Sequence, residues 1–175
     1  MNTTYSHRTD IDPMDPMRPT WSGTISRDVE VGGVRRRVTY YIPETAMAST
    51  AGVMLLPPGG VSAEEFLEKS SWRQLADTEE CKEKFILCVL ESGPEGWNTH
   101  EAYGLPDGEI AYVHTACLDF ARRDLFCVHE SKYYMVGCKD GGAIAQMAAM
   151  YDPAFFAGIA AVESPPVSDG YRAQA

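Results

Sequence analysis

Apolar and polar side chains alternate over residues 21–30 and again over 34–42, with Gly32-Gly33 between them. A period of two belongs to a strand with one buried face, and a glycine pair supplies the positive φ of a tight turn. The pattern therefore predicts an antiparallel hairpin closed by Pro43. Beyond it the pattern changes to short continuous apolar runs at residues 53–56, 85–90, 133–136 and 156–162. Such runs are the mark of strands buried on both faces of a parallel sheet. Helical spacing lies between them. One helix is predicted from Ser62 or Ala63 to about Asp77, with Glu64 and Glu65 at its positive end. A second is carried by Ile110, Val113, Cys117 and Phe120 within 108–123. A third covers 142–150, turns Ile144, Met147 and Tyr151 inward, and stops at Asp152-Pro153.

Strands alternating with helices predict right-handed crossovers, and so an α/β fold whose parallel sheet has helices on both faces and an N-terminal antiparallel hairpin. Sites in such sheets collect at the carboxyl ends of the strands. That rule brings Gly59-Gly60, the loop 91–100, Lys139-Asp140 and Glu163 to one rim.

A chain of 175 residues is enough for one core. The expected division is a flexible arm over 1–20, where Asp-Pro repeats forbid a regular helix, one domain over 21–165, and a polar tail over 166–175. The formal charge of −10 excludes a phosphate-tracking surface, so no nucleic acid is expected as partner. The run Arg35-Arg36-Arg37 sits in a strand pattern and reads as a solvated face. Cys81, Cys88, Cys117, Cys127 and Cys138 show no paired spacing, which predicts buried thiols, no metal and no cofactor. No apolar segment has signal or membrane length, so a cytoplasmic location is expected, with secretion open if a leader was removed, and no membrane partner.

The sharpest local feature is Gly137-Cys138-Lys139-Asp140-Gly141-Gly142 between an apolar strand and a helix. It resembles the nucleophile elbow of α/β-hydrolases, in which the middle residue of Gly-x-x-x-Gly projects above the sheet from a strained turn. Over residues 24–162 the order of features is similar to the polyhydroxybutyrate depolymerase and feruloyl esterase branch of that superfamily. The matching pieces are the hairpin, the strand ending in Pro57-Pro58-Gly59-Gly60, Ser71-Trp72-Arg73-Gln74-Leu75-Ala76-Asp77, Trp97-Asn98, the segment 109–120, the elbow, and Asp152-Pro153-Ala154-Phe155-Phe156-Ala157. The resemblance implies carboxylic-ester hydrolysis by Ser, Asp and His with an oxyanion hole. Three features depart from it: Lys139 holds the serine position, Pro58 the position of a loop histidine, and the two further strands after which the family carries its Asp and His have no counterpart, leaving the fold incomplete at its C-terminal side.

Candidate catalytic residues are thus Lys139, Asp140 and His100, the one histidine that topology puts on the rim. His129 precedes the elbow strand, at the wrong edge; His114 is on a helix flank and His7 in the arm. Gly59 and Gly60 can offer backbone N–H groups to an anion, and Glu91, Trp97, Asn98 and Glu163 line the same rim. Lys139 is either a desolvated amine nucleophile or a cation paired with Glu91, Glu163 or Asp140. Trp97 is either a stacking platform or a loop anchor. Three functions follow: an α/β-hydrolase-like subunit working with a second chain or as an oligomer, its elbow inactive or altered; a non-catalytic ligand-binding or assembly protein; and a lysine-dependent enzyme acting on a carbonyl substrate. A sheet ending on the apolar run 156–162 offers a pairing edge, which favours a homo-oligomer or a second polypeptide completing the sheet.

Overall fold

The computed structural model describes residues 4–7, 19, 21–47, 50–100, 108–122 and 126–167. Its strands are β1 (Thr4–His7), β2 (Trp21–Val31), β3 (Val34–Ile42), β4 (Thr50–Leu56), β5 (Phe85–Leu90), β6 (Val128–Cys138) and β7 (Gly158–Val162). Its helices are α1 (Ala63–Lys69), α2 (Trp72–Asp77), α3 (Glu109–Phe120) and α4 (Asp140–Tyr151). One sheet takes all seven strands in the order β1-β2-β3-β5-β4-β6-β7. β1, β2, β3 and β5 run antiparallel to their neighbours in turn, and β5-β4-β6-β7 is the parallel part.

The expected hairpin is present, with Val31 opposite Val34 and both turn glycines at positive φ. β4 begins three residues before its apolar run. Gly52 explains why: a Cβ there would lie 2.8 Å from the Phe120 ring, so a close helix-to-sheet contact is made at a residue with no side chain to register as hydrophobic.

Two expectations about elements are corrected. The single helix 62–77 is two, because Ser70 leaves the helix at φ −101°, ψ 160° and Ser71 opens the next. Neither serine side chain bonds the backbone there: Ser70 Oγ is buried without a partner and Ser71 makes no capping hydrogen bond, so the break is made by the extended backbone of Ser70. The N-terminal stretch expected as an irregular arm contains β1, which pairs with β2 from Thr4↔Thr24 to His7↔Trp21. The prolines begin at Pro13, so this segment keeps every N–H a strand requires. The arm's Asp-Pro repeats and the tail from residue 168 lie outside the described residues.

The sheet separates two apolar layers of unequal size. The larger holds Tyr40, Met54, Ile86, Phe120, Phe126, Met135 and Ile144 under α3 and α4. The smaller holds Val53, Leu55, Leu87 and Val89 under Leu67 and Ala76 of α1 and α2. α3 is tied to the hairpin by Asp119, which accepts from Arg27 at 3.0 Å and from the Tyr40 hydroxyl at 2.7 Å. The arginine run is not the solvated face expected of it. The Arg36 side chain is only 9% exposed, ion-paired with buried Glu109 and stacked 4.7 Å from the centre of the Tyr112 ring, whereas Arg35 and Arg37 stay exposed. Alternation within the strand sends the middle arginine alone to the face that α3 covers.

The last apolar run is a strand but not a buried one. Ile159 is 41% and Val162 47% exposed, and among the described residues no strand pairs beyond β7. No described helix is long and apolar enough to cross a membrane.

Candidate functional site

β6 ends and α4 begins at Lys139, which sits at φ 53°, ψ −121°. A non-glycine residue held in such a region stores about 1–3 kcal/mol of strain, sustained only where the surroundings over-determine it. Here they do. A Cβ at Gly137 would fall far inside van der Waals contact distance of the Gly141 carbonyl oxygen. At Gly141 it would meet the Leu56 and Pro57 carbonyl oxygens at 2.5 and 2.6 Å, and at Gly142 the Ser164 side chain at 2.5 Å. The Lys139 N–H donates to the Val162 carbonyl at 2.9 Å and its own carbonyl accepts from Gly142 at 3.0 Å. The glycines flank the lysine because the turn folds onto the ends of β4 and β6 with no room for side chains.

The loop facing this turn is occupied from within. Asp140, the first residue of α4, turns its carboxylate onto the Gly59 N–H, with oxygens at 3.0 and 3.2 Å. A Cβ at Gly59 would lie 2.5 Å from that carboxylate and 2.8 Å from the Gly96 Cα, so the slot between the two loops is filled. The Gly60 N–H donates to Ser92 Oγ at 3.0 Å. Both N–H groups expected to face an external anion therefore already have acceptors from the chain. That is a correction to their reading as open donors.

The rim carboxylates are also engaged. Glu91 Oε1 accepts from the Ala63 N–H at 2.8 Å and so caps α1 rather than pairing with Lys139. Asp140 faces Gly59, and no carboxylate lies within ion-pair distance of Lys139 among the described residues. The lysine side chain is exposed, not plugged into the site by an ion pair. Glu163, exposed and itself at φ 51°, follows the β7 carbonyl that receives the Lys139 N–H.

Trp97 is an anchor: the residue is 6% exposed and Nε1 donates to the Pro57 carbonyl at 2.7 Å, fastening the 91–100 loop to the end of β4. Asn98 is exposed; its N–H donates to Glu109 at 3.2 Å and its side chain accepts from the His100 N–H at 3.2 Å. His100 is exposed, and no hydrogen bond among the described residues joins its ring to Lys139 or Asp140. His129 lies inside β6 rather than before it, with Nδ1 2.9 Å from Ser131 Oγ, at the end remote from the elbow. His114 stands on α3, 4.0 Å from Asp152. The open cleft of about 610 Å³ on this side of the sheet is bounded by Gly60, Glu91, Ser92 and the arginines of β3. Lys139 is not part of its wall. Among the described residues no group of three His, Cys, Asp or Glu side chains is placed to hold a metal ion.

Cys138, beside the lysine, is half-buried. Burial raises its pKa above the ordinary 9.0, and the Glu163 charge raises it further, since both disfavour the thiolate. Alkylation of Cys138 by iodoacetamide, followed by peptide mass spectrometry across pH 7 to 11, is expected to rise only above the pH at which the unfolded chain reacts. Glu163→Gln should move the profile down toward it, and a profile coincident with the unfolded one would contradict the assignment.

No family model matches the chain, and no curated protein matches it by sequence. Solved structures do match it in shape. An acetyl xylan esterase from Aspergillus awamori superposes with a TM-score of 0.66 at 14% identity, over 82% of this chain and 53% of that one. A ferulic acid esterase gives 0.63 at 15%, over 82% and 59%. An S-formylglutathione hydrolase from Agrobacterium tumefaciens gives 0.58 at 14%, over 81% and 57%. This chain thus spans little more than half the length of these structures. Together with the strand order and the strained turn between β6 and α4, the likeness establishes that the chain has an α/β-hydrolase-like fold.

Proposed function

We propose that the chain is a non-hydrolytic subunit built on a carboxylic-ester hydrolase scaffold, working with another copy or a second polypeptide. One observation carries the reading. The Asp140 carboxylate sits on the Gly59 N–H, where a hydrolase needs an open donor for a developing oxyanion. A carboxylate there repels negative charge at the point where acyl transfer creates it, and the apex residue is a lysine to which no base is hydrogen-bonded among the described residues.

The expected outcome with p-nitrophenyl acetate is no turnover above the buffer rate, for the chain and for Lys139→Ala alike. Turnover that Lys139→Ala or Asp140→Ala abolishes would overturn the proposal.

A second reading, a ligand-binding protein without turnover, is favoured by the exposed Lys139 ammonium on its strained turn. Thermal stabilisation by small carboxylates that Lys139→Ala removes would support it. The carbonyl-directed enzyme has no comparable observation behind it.

A further inference from the structure

We infer that Ser70 and Arg73, where α1 meets α2, form a binding site for the carboxylate of a small organic acid. The site goes beyond the reading of the elbow and does not depend on it.

Two orphaned donors are the starting point. Among the described residues, Ser70 Oγ and Arg73 Nε are the two buried side-chain polar atoms without a hydrogen-bond partner. Native proteins leave few such atoms, because a buried donor without an acceptor gives up its hydration with nothing in return. Both residues belong to the wall of one open cleft of about 630 Å³, together with Glu68, Gln74 and Asp77. That volume lies within the range of small-molecule pockets, about 300–1,000 Å³. Ser70 is the residue at which α1 ends and Arg73 stands in the first turn of α2, so the break between the helices is what brings the two donors to one wall.

The charge narrows the ligand. Arg73 is half-buried, and no carboxylate lies within ion-pair distance of it among the described residues. The partner expected from helical spacing is Asp77, one turn further along α2. Both Asp77 oxygens are instead held by the Tyr41 hydroxyl, at 2.6 and 2.8 Å. The guanidinium lies over the ring of the same tyrosine, 4.9 Å from its centre. A water molecule satisfies both donors but leaves this cation without a counter-ion. An arginine spared from pairing in a chain of formal charge −10 is set apart for an anion from outside.

A planar carboxylate fits the Nε–Nη edge of a guanidinium and a neighbouring hydroxyl together. Glu68 and Asp77 set the limit on charge. Arg73 balances one negative charge, whereas the second charge of a phosphate dianion would face their two carboxylates unopposed.

The cleft stands apart from the elbow and from β7. α2 packs on β5 through Trp72 and Phe85, whose ring centres are 6.2 Å apart, and reaches β3 through Arg73 and Tyr41. β5, β4 and β6 separate β3 from β7 in the sheet.

The test is an NMR titration of the isotope-labelled chain with sodium acetate, sodium chloride holding the ionic strength constant, read at the Arg73 Nε–Hε cross-peak. Arg73→Lys assigns that peak by removing it. The expected result is a saturable shift with a Kd on the order of 1–10 mM, the strength of one charge-assisted pair. Ser70→Ala should weaken binding about tenfold, the equivalent of one hydrogen bond to a charged group, with an unchanged circular dichroism spectrum. Lys139→Ala should leave the titration as it is, which separates this site from a carboxylate held at the elbow. Inorganic phosphate should shift the peak less than acetate at the same concentration. A peak unmoved by acetate would mean that the two donors hold water only, and would overturn the inference. So would a shift that Ser70→Ala leaves intact, that Lys139→Ala abolishes, or that phosphate exceeds. None of these outcomes bears on hydrolysis, which the ester assay decides on its own.

Discussion

Replacing Gly137 with alanine is expected to lower the melting temperature by about 6–12 °C, from an overpacking cost of about 3 kcal/mol at about 2–4 °C per kcal/mol for a domain of this size. The new methyl group would overlap the Gly141 carbonyl and lie 2.6 Å from the Gly142 Cα. Both are backbone atoms of the first turn of α4, so no side chain can swing aside. The turn must open, and with it the contacts of Gly141 to the ends of β4 and of Gly142 to Ser164. Differential scanning calorimetry of Gly137→Ala checks this, with Gly33→Ala as a control. A Cβ at Gly33 meets nothing within 4 Å, although its φ of +75° carries the ordinary strain of a left-handed residue. Equal shifts in the two variants would mean that steric closure of the elbow is not what holds it.

Glu109→Ala is expected to cost about 3–5 kcal/mol, the usual penalty for leaving one member of a buried ion pair alone. Arg36 and Glu109 side chains are 9% and 4% exposed, and Glu109 also receives the Asn98 N–H, so its loss strands a guanidinium and an amide together. The double variant Arg36→Met, Glu109→Leu removes both charges and should recover most of the loss. Urea denaturation of the three proteins measures it. A single variant as stable as the parent, or a double variant no better than the single one, would show that solvent reaches the guanidinium. The pair also joins β3 to the first turn of α3, beside the loop that Trp97 anchors. Loosening of that loop is therefore expected in the single variant.

The sheet was legible because its strands advertise themselves in two ways: alternation in the hairpin, and continuous apolar runs in the parallel part. The elbow was legible because its glycines are demanded by backbone-to-backbone contact, which no other residue satisfies. Less could be read where a choice among partners decides the outcome. That Asp140 would turn to Gly59, 81 positions away, and Glu91 to the start of α1, depends on how two loops meet, and neither hydrogen bond leaves a trace in local pattern. The burial of Arg36 is similar. Alternation could have signalled it, since its neighbours Arg35 and Arg37 share the opposite face, but charge suggested solvent for all three. The two short helices were read as one because apolar spacing continues across Ser70-Ser71. β7 was read as buried because its composition is that of an interior strand. Its exposure depends on what lies next to it, not on its own residues.

The unequal apolar layers set an order of opening. α1 and α2, of seven and six residues, rest on the smaller layer and have too few turns to be stable alone. Their amide protons therefore exchange with solvent through local fraying, at free energies well below that of global unfolding, whereas those of β4, β5 and β6 await the loss of the whole sheet. Among the described helices, a protease acting on the native protein would find accessible bonds near Ser70-Ser71, and a nick there would leave the larger layer, with α3, α4 and the strained turn, still folded.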